Sequence, residues 1–178
     1  MWRLFILTIL FYQAVSCSEE GKKTPIEIKP PTIKLAESQT LGNSFSSHEH
    51  PTIAHVRIVD LDQDGYNDVI VCDVLGQRVG WIRQLGEGQF AETSILSQIN
   101  GAVHAEALDF DNDGDLDVLI AAMGVILPTD AKMGQVIILE NDGNENFTKH
   151  MIASGIQRVT DIQGGDLDGD GDMDLSVA

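Results

Sequence analysis

The sequence is poor in cysteine, in basic residues and in aromatic residues. Its two cysteines, Cys17 and Cys72, are too few for the disulfide frameworks that hold small secreted domains together. Eleven Lys and Arg stand against 28 Asp and Glu, giving a formal net charge of −17. This balance excludes nucleic acid as a partner, because phosphate binding needs clustered basic residues, and it favours cations instead. A hydrophobic content of 43% argues against disorder despite the few aromatics.

A hydrophobic run long enough to span a membrane is also missing. The apolar stretch from Leu4 to Val15 is interrupted by two polar residues and falls short of the ~20 residues that a membrane helix needs. Residues 1–16 are therefore predicted to be a signal peptide. The segment Ala14-Val15-Ser16-Cys17 resembles the lipobox of bacterial lipoproteins, and this resemblance implies lipidation of Cys17. Plain secretion is the alternative, so we expect an exported protein, either a lipoprotein of the outer membrane or cell surface or a secreted one.

Residues 17–51 are predicted to be a tether, either lipidated or free at its N-terminus. The segment is polar at both ends and contains Pro25, Pro30 and Pro31, which break regular structure. An edge strand within residues 26–35 is possible. We expect contact with a membrane only through a lipid anchor at Cys17. Cys72, in contrast, lies in an apolar run and is predicted to be a buried small hydrophobic residue.

The remaining sequence is a repeat in which an aspartate-rich loop recurs three times without gaps. Each copy reads Asp-x-Asp-x-Asp-Gly-x-x-Asp, and each is followed by an apolar run typical of a strand. The copies span Asp60–Asp68, Asp109–Asp117 and Asp166–Asp174. Half of all the acidic residues lie in these loops, so much of the negative charge is concentrated at three places in the chain.

The repeat predicts an all-β fold of four-stranded antiparallel blades. Glycine-rich turns and short apolar runs place strands at residues 55–59, 68–74, 79–84 and 90–96, and at residues 103–108, 117–123, 135–140 and 147–153. Four short strands every ~50 residues are typical of a β-propeller. Residues 52–178 then hold two full blades and the start of a third. Because a propeller needs at least four blades, we expect a fragment of a longer protein.

The loops have the chemistry of a calcium site. Alternating carboxylates at loop positions 1, 3 and 5 converge in a tight turn, and glycine at position 6 permits the bend. Position 7 offers a main-chain carbonyl, and the aspartate at position 9 closes the site, so we expect about one Ca²⁺ per repeat and three in this chain. The predicted ligands are Asp60, Asp62, Asp64, Tyr66 and Asp68; Asp109, Asp111, Asp113, Asp115 and Asp117; and Asp166, Asp168, Asp170, Asp172 and Asp174.

Position 12 separates these loops from EF-hands, which place an acidic ligand there and continue into a helix. Here position 12 is Val71, Ile120 or Val177, inside the apolar run. The three loops with their flanking strands resemble the FG-GAP/VCBS repeats of integrin-α-like β-propellers over residues 52–178. The resemblance implies a propeller, commonly seven-bladed, with calcium between the first two strands of a blade. Many bacterial members are exported and concerned with adhesion, recognition or carbohydrates.

Three functions remain open from the sequence, and the last of them is a purely structural scaffold with no ligand. The first is a non-catalytic recognition or adhesion propeller. The alternative is the propeller part of a carbohydrate-active enzyme, a polysaccharide lyase or hydrolase, with catalytic residues in the channel or beyond residue 178. No catalytic motif is present in the sequence, so no catalytic residue is assigned.

Two further segments are candidates for a ligand site. The segment 121–134, longer than its counterpart in the first repeat, is expected at the edge opposite the calcium loops, where a protein or glycan partner could bind it. Packing on its own blade is the alternative. A second set of polar residues is expected along the innermost strands, where it could form a site or simply a solvated channel wall. These residues are His55, Arg57, His104, Glu106, Asp161 and Gln163.

Overall fold

The computed structural model describes Glu37, Leu41 and residues 51–178. The predicted signal peptide, residues 1–16, the lipidation at Cys17 and the possible strand in residues 26–35 lie outside the described residues, as does most of the tether, residues 17–51. The signal peptide, the lipidation, the strand and the tether therefore stay predictions. In the part of the chain that the structure describes, no helix is long and apolar enough to cross a membrane.

The described chain from residue 51 onward is all β, and it forms β-propeller blades. The first sheet contains β1 (Ile53–Val59), β2 (Asp68–Asp73), β3 (Arg78–Gly86) and β4 (Gln89–Ser97). The second contains β5 (Ala102–Leu108), β6 (Asp117–Ala122), β7 (Gly134–Asn141) and β8 (Phe147–Ile156). A third, two-stranded sheet pairs β9 (Ile162–Gly165) with β10 (Asp174–Val177). Each strand pairs antiparallel with the next along the chain, so each sheet is a meander.

The eight strands predicted for the two complete units are all present, and their bounds shift by at most three residues. The largest shift is at the end of β8, which continues past the predicted residue 153 until Ile156 pairs with Gly134. Asp161, expected within an innermost strand, instead lies one residue before β9 begins. The first strands of neighbouring sheets lie side by side, as the innermost strands of adjacent blades do.

The core lies between the sheets and explains why the second strand of each unit is an apolar run. Alternate residues of β6 face opposite ways: Val118 and Ile120 belong to the cluster shared with the first sheet. Leu119 belongs to a second cluster that includes Ile162 of the third unit. A strand buried on both faces needs apolar residues at every position, unlike a strand with one solvated face. Cys72 is fully buried in the first cluster, as predicted.

The meander places the aspartate loops and the segment 123–133 at opposite edges of the sheets. The loops join the first strand to the second, whereas residues 123–133 join β6 to β7. The amides of Met123 and Gly124 donate to the carbonyls of Gly101 and Asn100, at 2.8 and 3.2 Å. This segment therefore packs against the link between the two complete blades.

Candidate metal centres

Three carboxylates converge in each aspartate loop, and they come from the same loop positions each time. Positions 1, 3 and 9 each offer one oxygen, and these oxygens lie within 4.8 Å of one another in every loop. The three groups are Asp60, Asp62 and Asp68; Asp109, Asp111 and Asp117; and Asp166, Asp168 and Asp174. Nine of the fifteen residues predicted as ligands are thus brought together by the fold.

The carboxylate at position 9 is the most firmly held of each group. It is the first residue of the second strand, and in the complete blades, at Asp68 and Asp117, it is almost fully buried. One oxygen accepts the amide of the second loop residue, from Leu61 at 3.2 Å and from Phe110 at 2.9 Å. The other accepts an amide of the third strand at 2.8 Å in both blades. A buried carboxylate needs such donors, since burial without partners is costly.

Asp68 has an additional donor that the sequence pattern did not identify. The indole Nε1–H of Trp81 donates to Oδ2 of Asp68 at 2.9 Å, and only 3% of Trp81 is exposed. Trp81 also makes an edge-to-face contact with Phe147 of the second blade, at 6.3 Å between ring centroids. The single tryptophan in the repeat region, placed on the strand that pairs with the one starting at Asp68, was the available signal.

The carboxylate at position 1 closes the turn from inside. Oδ1 of Asp60 accepts the amide of Asp64 at 3.0 Å, and Oδ2 accepts the amide of Gly65 at 2.9 Å. Asp109 repeats the pattern toward Asp113 and Gly114, at 3.1 Å each. The same oxygens that converge therefore also hold the loop backbone around them.

The carboxylate at position 5 shapes the turn, and metal ligation by it stays a prediction. The carboxylate of Asp64 does not belong to the convergent group, and its Oδ1 accepts the amide of Tyr66 at 2.9 Å. In the other loops Asp113 and Asp170 likewise accept the position-7 amide, from Asp115 and Asp172 at 2.9 Å. The side chain at position 5 thus shapes the turn, and ligation by the position-7 carbonyl stays a prediction.

Two backbone positions of the loop are left-handed. Position 6 is always glycine, with φ of 93°, 99° and 97° in the three loops, and no atom lies within 4 Å of where a Cβ would stand. The glycine is therefore required for its backbone angle and not for space. Position 4 is also left-handed, at Gln63, Asn112 and Gly169, which the pattern did not reveal because its residue type varies.

Burial and mutual repulsion act on the carboxylates of these groups. Burial raises the pKa of Asp62, and the neighbouring charge of Asp68 acts in the same direction. Burial also raises the pKa of Asp117, with the charges of Asp111 and Asp113 adding to the effect. Arg83 partly offsets this effect at Asp62, and a bound cation would favour the anionic form of both groups.

These groups fit a hard divalent cation. Each consists only of oxygen donors, which such cations prefer. Two oxygens bound to one ion at ~2.3–2.6 Å stand no more than about 5 Å apart, so oxygens that lie within 4.8 Å of one another can share an ion. Carboxylate oxygens that accept an amide keep lone pairs for a metal. The three loops can therefore each hold a metal ion.

The first two loops are also linked to each other across the blade interface. The side-chain amide of Gln63 donates to the carbonyl of Gly114 in the second loop at 2.7 Å. Arg83 of β3 contacts Asp62 of the first loop through Nε, and its Nη1 lies 2.5 Å from Oε1 of Glu145, in the turn between β7 and β8. The metal-binding edge is therefore one continuous polar surface over both blades.

The polar residues of the innermost strands are brought together by the fold. The imidazoles of His55 and His104 stack at 4.2 Å between centroids. Nδ1 of His104 lies 2.7 Å from Oδ1 of Asp161, and Nη2 of Arg57 lies 3.1 Å from Oε1 of Glu106. Each of these two contacts joins two neighbouring units, so the cluster connects all three. Gln163 lies on β9, and no contact places it in this cluster.

The segment 121–134 carries exposed apolar side chains on the opposite edge. Ile126 is 48% exposed and Leu127 is 76% exposed. With Val74, Leu75 and Gly101 they line a shallow groove of about 370 Å³. Arg158 holds the segment from the other side by donating to the carbonyl of Ile126 at 3.2 Å.

Comparison with known proteins identifies the repeat. The family model for the FG-GAP-like repeat matches residues 42–120, which contain the first blade, β5, the second aspartate loop and the first four residues of β6. No curated protein and no solved structure gives a significant match to the chain.

Proposed function

Because the chain is an FG-GAP repeat protein, we propose that it is an exported, non-catalytic recognition or adhesion propeller. In each unit, Ca²⁺ stabilises the aspartate loop between the first and second strands. The observation that carries the calcium proposal is the recurrence of the same three convergent carboxylates in all three loops. A single acidic turn is common on protein surfaces, but three loops with equal geometry call for a common ligand.

Calcium is preferred over magnesium on chemical grounds. Ca²⁺ accepts six to eight oxygens in flexible arrangements, including main-chain carbonyls such as that proposed for Tyr66. Mg²⁺ demands near-ideal octahedral geometry and keeps several waters, so a short loop of side-chain and main-chain oxygens suits it less well. The oxygen-only donor set argues against zinc, which prefers nitrogen and sulfur in structural sites.

Thermal unfolding tests the calcium proposal directly. Ligand at ~100 times its dissociation constant stabilises a folded protein by ~2.7 kcal/mol per site, so the Tm in 1 mM Ca²⁺ should exceed that in EGTA by several degrees. Excess Mg²⁺ should have much less effect. Asp60→Asn is the test variant and should lose part of the calcium shift. Glu87→Gln is the matched control, since it removes one exposed carboxylate that lies in the turn between β3 and β4, outside the aspartate loops. An unchanged Tm on chelation would reject the proposal.

The partner proposal concerns the segment 121–134. Its support is the exposed apolar pair Ile126 and Leu127 beside a groove, on the edge away from the loops. A protein or a glycan partner is proposed, and glycan-array binding and pull-down from surface extracts distinguish the two. Leu127→Ser should weaken binding, whereas the exposed Leu85 on the other edge offers the control Leu85→Ser. Equal binding by both variants would reject this surface.

Export is proposed from the N-terminal sequence. Lipidation of Cys17 predicts that the mature protein partitions with membranes and that Cys17→Ser releases it in soluble form. If the wild-type protein is found in the medium without a lipid, the plain secreted alternative holds. Retention inside the cell would reject both.

The non-catalytic assignment is favoured by the innermost strands. The polar groups there, His104 with Asp161 and Arg57 with Glu106, contact one another between units. Such pairs serve to join blades. A polysaccharide-depolymerisation assay on the full-length protein tests the enzyme alternative.

A further inference from the structure

The first and second loops present the same carboxylates but differ in the charge beside them. The amides of Gln84 and Asn141 each donate at 2.8 Å to Oδ1 of the position-9 carboxylate of their own loop, so these two residues are structural equivalents. The residues just before them, Arg83 and Glu140, therefore occupy the same place in the two blades. One is a cation and the other an anion.

Arg83 lies directly on a metal ligand of the first loop. Its Nε contacts Oδ2 of Asp62, whose side chain is only 6% exposed. The guanidinium is held in place by Glu145 at 2.5 Å and by the ring of Trp81, 5.5 Å from its centroid. Because Asp62 is buried and Arg83 is 28% exposed, solvent screens the pair less than it screens a surface ion pair.

Glu140 creates the opposite situation at the second loop. It lines a groove of about 240 Å³ together with Asp111 and Asp117, two of the convergent carboxylates. Its partner is His150, 2.5 Å away, and both side chains are about half exposed. Solvent screens an exposed contact of this kind strongly, and Glu140 places a carboxylate beside the second loop where the first loop has a guanidinium.

We propose that the residue at this place sets the relative metal affinities of the two loops, Arg83 weakening the first and Glu140 strengthening the second. The inference rests on the calcium binding proposed above. A cation in the first loop must share Asp62 with the guanidinium and is repelled by it. Even with the full screening of bulk water, a unit charge about 6 Å from a divalent ion changes its affinity on the order of tenfold, so tenfold is the smallest effect expected at the first loop. Without metal, Arg83 stabilises the first loop, because it offsets repulsion among the loop carboxylates.

The test compares site-specific Ca²⁺ affinities in the full chain. First-loop affinity is measured by Ca²⁺ displacement of Tb³⁺ whose emission is sensitised by Trp81, which donates to Asp68 of that loop. Asp111→Asn and Asp168→Asn disable the other two loops in this background. Second-loop affinity is measured by calorimetry with the first and third loops disabled in the same way.

Arg83→Gln is expected to tighten Ca²⁺ binding at the first loop about tenfold. Arg83→Lys, the matched control, keeps the charge and should stay within about threefold of the wild type. Arg83→Gln should also lower the Tm in EGTA. A purely structural role would lower the Tm in the same way but would not tighten Ca²⁺ binding. Glu140→Gln, at an exposed position that tolerates change, should weaken the second loop by about threefold to tenfold and leave the first unchanged.

The outcomes separate this inference from the function on which it rests. If the wild-type chain binds Ca²⁺ but neither Arg83→Gln nor Glu140→Gln shifts its loop as stated, the affinity-setting role is wrong and the calcium proposal stands. If Arg83→Gln weakens binding, the guanidinium supports the site instead, and the inference is overturned. If the wild-type chain binds no Ca²⁺, both are overturned.

Discussion

Replacing Trp81 by phenylalanine tests whether the third strand supports the metal loop. The substitution keeps an aromatic ring in the core but removes the Nε1–H that donates to Asp68 at 2.9 Å. Both groups are buried, with Trp81 3% and Asp68 0% exposed, so water cannot replace the lost donor. The carboxylate of Asp68 would then keep its two backbone amide donors and lose its third donor, the indole.

The magnitude follows from two contributions. A hydrogen bond to a charged group contributes ~1.5–3 kcal/mol, and a smaller ring in a packed core costs about 1 kcal/mol more. We therefore expect Trp81→Phe to lower the free energy of unfolding by about 2.5–4 kcal/mol. Losing part of the edge-to-face contact with Phe147 is included in this range.

Urea unfolding in EGTA measures this effect without metal. The matched control is Ile138→Val, because Ile138 is the equivalent residue of the second blade, is 5% exposed and makes no polar contact with its loop. Its cost should be ~0.5–1.5 kcal/mol. If Trp81→Phe costs no more than this control, the indole serves only as core packing and the reasoning is refuted.

Two further predictions concern buried titratable groups. Burial, then the charges of His104 and Arg57, lowers the pKa of His55. The folded state then binds this proton less readily than the unfolded state, so stability is lost as pH falls through the ordinary His pKa of ~6.5. His55→Gln should flatten the urea-stability profile between about pH 7.5 and 5.5, and an unchanged slope would contradict this. Burial raises the pKa of the Cys72 thiol to about 12, so a native Cys17→Ser protein should resist iodoacetamide at pH 8 and react once unfolded in urea. Rapid labelling of the native protein would contradict this.

The strands and loops were predictable because their signals are local. Alternating or continuous apolar runs bounded by glycine-rich and aspartate-rich turns located all eight strands of the two complete blades. The spacing within the aspartate motif located the convergent carboxylates at positions 1, 3 and 9. Spacing alone made Asp64 an equal candidate, yet left-handed φ at Gln63 and Gly65 turns the chain sharply on either side of it. Its carboxylate then accepts the amide of Tyr66, a result that follows from backbone angles and not from residue order.

The contacts between blades were not predictable in the same way. Arg83 meets Glu145 and Gln63 meets Gly114, partners that are far apart in sequence and belong to different repeats. Their pairing depends on how far one sheet is rotated relative to the next, which the pattern of a single repeat does not contain. The same holds for the stacking of His55 on His104, although their equal place before each loop suggested that they would be neighbours.

The arrangement of the loops favours a structural role for bound metal over a metal-driven conformational change. The position-9 carboxylates are already fixed by amides of their own loop and of the third strand, so metal binding requires no movement of a strand. What changes on binding at the first loop is the partner of Asp62, which now contacts Arg83. Because Arg83 also contacts Glu145 of the next blade, we expect metal binding at the first loop to alter this contact between the two blades. Chelation should therefore weaken the joint between the two blades first, and a ligand bound at residues 121–134 would be affected only through the stability of that joint.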